Sequence, residues 1–154
     1  MAGADNGSSV NLARRYPLNA DYPLRHLEAR AGFVALVIAL IFSAGHLTHE
    51  VRDADVDRRN GIATNAVVFG RSRTFVMGMV LFMMADVLLL MLSLSGIVPR
   101  LVMLVAAFHP VHFYWSLRAL RNGLTDEDLR SLQIRYRIRY AVVGAILSMA
   151  VLLG

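Results

Sequence analysis

The chain has 154 residues, is 56% hydrophobic and 18% charged, and has a mean hydropathy of +0.52, which is too apolar for an ordinary soluble domain. It contains no cysteine, which excludes a disulfide framework, a thiolate metal site and a cysteine nucleophile. The net charge is +5 and all 16 basic residues are arginine, so lysine chemistry is excluded and every cation is a planar fork suited to phosphate or carboxylate.

In chain order, residues 1–26 are rich in Gly, Ser, Asn and Pro and read as a flexible or surface-lying arm ahead of a membrane domain over 27–154. No apolar core follows Arg14 and Arg15 closely and no cleavage pattern is evident, which argues against an export signal. Four apolar segments follow, at 27–48, 74–94, 97–120 and 140–153. A helix of about 20 apolar residues crosses the hydrocarbon core. The second segment fits well, the first and third fit with their polar ends at the interfaces, and the fourth is short. The segments are continuous rather than alternating, so the expected class is an all-α integral membrane bundle of about four transmembrane helices. The arginines flank these segments instead of coating a soluble face, which points to membrane lipids and away from nucleic acid.

Between the first two segments lies "HEVRDADVDRRNGIAT", residues 49–64. Taken as the end of a helix leaving the membrane, it puts Asp53 and Asp57, four residues apart, on one face, with Asp55 pointing elsewhere. Like charges at that spacing repel unless a cation sits between them. Mg²⁺ binds through one or two carboxylates, water and a substrate phosphate. Arg58 and Arg59 could hold the same phosphate oxygens. An EF-hand loop fails, because Arg58 stands where glycine is needed and Thr64 where a bidentate glutamate is needed. A merely solvated charge run is the bland alternative.

Other polar residues have weaker readings. His46, His49, Asp53 and Asp57 fall on one helical stripe, and His109 and His112 form a second pair, but five histidines are too few for a membrane di-iron site. Asp86 lies well inside the second segment, where a carboxylate faces a bundle interior or polar cavity; the plain reading is a protonated, hydrogen-bonded acid, and the functional one is pairing with His109 or His112 near an acceptor pocket. Pro110 is expected to kink the third segment. Thr125 and Asp128 resemble a capping box. "IRYRIRY", residues 134–140, alternates like a strand, but a lone strand beside a bilayer has no partner, so an interfacial helix is expected. The arginine run over 130–139 reads as a headgroup anchor. Eleven arginines flank the two loops on the aspartate side against five on the other, which places the aspartate-rich loop in the cytoplasm.

The wider pattern "HEVRDADVDRRNGIATNAVVFGRSRT" resembles the second aspartate-rich motif of the UbiA-type membrane prenyltransferases: Asp53, Asp57, Gly61, Thr64 and Gly70, then basic residues and an apolar helix. The resemblance implies an all-helical protein that holds an isoprenyl diphosphate through Mg²⁺ and transfers the prenyl group to an aromatic or other lipophilic acceptor. It implies Asp53 and Asp57 as metal ligands in the catalytic site and Asp55 as a ligand or supporting residue. Arg58 is then a phosphate-binding candidate and Arg59 a weaker one. Gly61 and Thr64 are turn and loop-packing residues, with Thr64 also beside the substrate. The family's first aspartate-rich motif is missing, and no second "DxxxD" occurs. That departure implies a partial bundle paired with a separately encoded N-terminal half, a homodimer, or a non-catalytic small membrane subunit or truncated remnant.

Overall fold

The computed structural model describes residues 29–153, all of whose regular structure is helical. The elements are α1 (Ala29–Arg59), α2 (Asn65–Phe69), α3 (Arg71–Leu94), α4 (Val102–Ala106), α5 (His109–Arg121) and α6 (Asp126–Leu153). Residues Phe33–Gly154 form one compact unit. The expected arm over 1–26 lies outside the described residues.

The stretches Ala31–Arg59 and Arg71–Leu94 are long and apolar enough to cross a membrane. At 31 residues, α1 extends about 46 Å, well beyond the roughly 30 Å of a hydrocarbon core. The aspartate stretch is therefore the continuation of a spanning helix rather than a loop. That helix stops in a Schellman turn. Gly61 adopts a left-handed φ of 70°, the Ile62 N–H donates to the Asp57 carbonyl at 2.9 Å, and the Gly61 N–H donates to the Arg58 carbonyl at 3.3 Å.

The third apolar segment is not one helix. It is interrupted between α4 and α5, and Pro110 sits in the first turn of α5, where its missing N–H costs nothing. The expected kink is thus a break just before the proline. The fourth apolar segment is the end of a longer helix: it continues without interruption from the arginine run, so "IRYRIRY" is helical and α6 has 28 residues. At the start of α6 the Asp128 N–H donates to Thr125 Oγ1 at 3.2 Å, as a cap requires. The Thr125 hydroxyl in turn donates to the Asp128 carboxylate at 2.9 Å.

Three apolar clusters stack along the bundle. Val51, Ala54, Phe75, Ala119 and Leu129 pack at the aspartate end. Ala44, Phe82 and Tyr136 pack in the middle. Val37, Ala85, Leu89, Val102 and Val143 pack at the far end. Gly78 marks where α3 packs on α1: a Cβ there would lie in ordinary contact, 3.4 Å from the Ala44 carbonyl oxygen and 3.6 Å from Leu47 Cβ. The methionine-rich α3 divides by face, with Met77, Met84 and Met91 exposed while Phe75, Phe82 and Leu89 are buried. The outward set has the composition of a lipid-facing surface.

Candidate functional site

The last two turns of α1 carry three aspartates, although a helix C-terminus favours positive charge. Only Arg58 and Arg59 in the final turn suit the dipole. Such a local conflict is the kind of feature that a bound cation would resolve.

The three carboxylates face different partners. Asp53 accepts two hydrogen bonds from Arg52, at 2.8 Å from Nε and 3.1 Å from Nη2. Arg52 also donates from Nη1 to Gln133 Oε1 of α6 at 3.0 Å, so Asp53 is steered toward the α1–α6 seam. Asp57 accepts a hydrogen bond from Thr64 Oγ1 at 3.3 Å, which ties the end of α1 to the start of α2. Asp55 turns away to Arg58 at 3.1 Å and Arg71 at 3.6 Å. Arg59 donates to the Asp55 carbonyl at 3.1 Å. Among the described residues no three histidine or carboxylate side chains form a ready-made metal cluster. The hard oxygen donors of Asp53 and Asp57 fit Mg²⁺ as part of a coordination shell that water and a phosphate complete.

Two residues that the sequence did not single out hold this region together. Glu50 is buried and accepts from the Asn65 backbone N–H at 2.9 Å and from Asn65 Nδ2 at 3.2 Å, while His46 lies 3.1 Å away. Arg71 donates from Nε to the Val51 carbonyl at 3.1 Å and from Nη2 to the Leu124 carbonyl at 2.8 Å. It therefore clamps α1, α3 and the turn before α6. Leu124, which presents that carbonyl, is buried with a left-handed φ of 59°.

One turn before Asp53, His49 lines an apolar cavity of about 560 Å³ between α1 and α6. Its walls include Ile38, Phe42, Tyr140 and Leu147, with His46, His49 and Arg137 as its polar residues. His49 Nε2 lies 3.0 Å from Arg137 Nη2.

The model of the UbiA prenyltransferase family matches residues 24–143. The chain belongs to that family. As a UbiA member it is an integral membrane protein of prenyltransferase type, and its helical bundle is the family's fold class. No curated protein and no solved structure matches the chain.

The matched region of this UbiA protein contains the whole aspartate stretch and also a second polar centre, buried between α3, α5 and α6. Asp86 pairs with His109 Nδ1 and with Arg139, and it accepts a hydrogen bond from Tyr140 at 3.3 Å. Of the two candidate histidines, His109 is the one that meets Asp86. His112 instead sets its ring edge-on to Phe82, with centroids 5.6 Å apart. Arg139 was expected to anchor headgroups with its neighbours, but its side chain is only 9% exposed. The signal that could have found it is position: it is the last arginine before the apolar run, so it alone enters the bundle far enough to meet Asp86.

Proposed function

We propose that this UbiA protein binds an isoprenyl diphosphate with Mg²⁺ at the end of α1 and transfers the prenyl group to a lipophilic or aromatic acceptor. The observation that carries this reading is the stripe His49, Asp53, Asp57. It leads from the rim of the apolar cavity to two carboxylates one turn apart, so a diphosphate head and an apolar tail have adjoining places. Asp53 and Asp57 are the residues that would hold the metal, and Thr64 orients Asp57 by its hydrogen bond. Bound there, Mg²⁺ supplies charge neutralisation for the departing diphosphate. Arg58, more than half exposed and among the described residues tied by its side chain only to Asp55, is available to turn toward phosphate oxygens, with Arg59 beside it. The cavity walls exclude water from the tail.

A second acidic group from outside the described residues completes the site in this reading, contributed by another chain or by a second copy. The arginine imbalance supports a cytoplasmic aspartate end. A non-catalytic membrane subunit is the second reading. It is favoured by the pairing of Asp53 and Asp55 with arginines and by the lack of a three-ligand cluster among the described residues.

The test is thermal unfolding of the purified chain with a non-hydrolysable isoprenyl diphosphate analogue, with and without Mg²⁺. A ligand that binds only the folded state raises its apparent stability. A Mg²⁺-dependent rise that Asp57→Asn abolishes supports the site. An equal rise in that variant rejects it, and no rise in either protein favours the non-catalytic subunit.

A further inference from the structure

A second cavity, of about 400 Å³, opens on the other side of α6, against α5. It does not share the aspartate end of α1, and its lining is ordered by depth. The two helices are joined by the turn over residues 122–125 and run in opposite directions. Arg118 and Arg135 therefore stand toward the polar end of the bundle, with Trp115 between them. The Arg135 guanidinium lies 4.1 Å from the Trp115 ring centroid and that of Arg118 lies 5.1 Å from it. Further in, the groove is walled by Phe108, Ile138 and Val142, which are 65%, 61% and 45% exposed.

Arg139 joins these two zones. It lines the groove, is nine-tenths buried, and spends one terminal nitrogen on its ion pair with Asp86. Its Nε and Nη1 have no hydrogen-bond partner among the described residues. All three of its guanidinium nitrogens are closed off from the groove surface, so Arg139 contributes a fixed positive charge behind the wall. Two further guanidiniums lie at or beside the mouth, against the single carboxylate of Asp86 behind it, so the local field is positive. The open, apolar flank would be left uncovered by a free inorganic anion, whereas an acyl chain would fill it.

The geometry points to a binding site for an anionic phospholipid. Its phosphate is held by Arg135 at the mouth, in the field of Arg118 and Arg139, and one acyl chain lies along Phe108, Ile138 and Val142. This site is separate from the proposed diphosphate site and does not depend on it. It gives the α5–α6 pair a lipid ligand of definite charge.

Native mass spectrometry of the full chain released from detergent tests this, with phosphatidylglycerol and phosphatidylcholine of identical chains as probes. The expected result is retention of phosphatidylglycerol about fivefold above phosphatidylcholine, the preference that one interfacial arginine's attraction corresponds to. Arg135→Gln, at an exposed position whose loss opens no core, should remove most of that preference. Val142→Trp, which fills the acyl track and leaves every charge in place, should lower phosphatidylglycerol retention as much. Arg130→Gln, on the same helix but outside the groove, should change nothing. The proposal is overturned if Val142→Trp retains the lipid like wild type, which would mean headgroup charge alone. It also falls if Arg130→Gln matches Arg135→Gln, or if the full chain holds both lipids equally, leaving the groove to another occupant.

Discussion

Arg139 of α6 and Asp86 of α3 form an ion pair in the interior of a membrane bundle, with both side chains less than a tenth exposed. Taking Arg139 away leaves Asp86 with only His109 and Tyr140 as partners; breaking a buried pair costs about 3–5 kcal/mol, whereas replacing both members by apolar groups can be nearly neutral. Arg139→Leu should therefore lower the thermal midpoint sharply, and Asp86→Leu with Arg139→Leu should recover much of the loss. Circular dichroism melts of the two variants in one detergent give the comparison. Equal losses would show that the pair is not what Arg139 contributes.

Arg71 is the only described residue whose guanidinium bonds both the Val51 and Leu124 carbonyls. Hydrogen bonds from a charged donor are worth about 1.5–3 kcal/mol each. Arg71→Gln should destabilise by about 2–3 kcal/mol and speed amide exchange around residues 122–125, where the left-handed Leu124 loses its tether. Hydrogen-exchange mass spectrometry reads this directly. Unchanged exchange there would mean that the turn holds itself.

Gly61→Ala should cost about 1–2 kcal/mol, because an alanine resists the left-handed φ of 70° that closes α1. Open space surrounds the glycine, so strain and not a clash sets the penalty. Gly61→Asn should cost less, since asparagine tolerates that region. Thermal melts that rank the two variants the other way would contradict the Schellman stop.

Glu50→Ala should release Asn65, whose backbone and side-chain nitrogens it accepts from. The expected sign is faster exchange of amides 62–66 with no change at 82–92. Slowing or no change in the first stretch would show that Thr64 and Asp57 hold the turn unaided.

The all-helical membrane bundle was legible because uninterrupted apolar runs leave only one way to satisfy a backbone in lipid. The shared face of Asp53 and Asp57 followed from their spacing, and the turn at Gly61 from the resemblance to the family's motif. The break before Pro110 was not legible. In sequence a proline inside an apolar run reads as a kink, and whether it bends one helix or begins another is decided by the residues packed around it. Arg139 was missed for a related reason: among alternating arginines, composition does not say which one meets a carboxylate from a distant helix. Glu50 and Arg71 were missed because each bonds backbone groups of other segments, which carry no sequence signature. The roles of Asp53, Asp55, Asp57, Arg58, Arg59 and Thr64 toward metal and diphosphate rest on the binding experiment above.

The length of α1 has a mechanical consequence. Its carboxylates and its lipid-embedded stretch share one unbroken rod of about 46 Å, so the acidic tip is a lever. A helix longer than the local hydrocarbon thickness tilts to fit. A tilt of about 10° carries the end of such a rod about 8 Å sideways. Arg52 and Arg71 tie that tip to α6 and α3, so the bundle tilts with the rod, and bilayer thickness thereby sets how far Asp53 and Asp57 stand from the membrane surface without any change in the protein's own contacts.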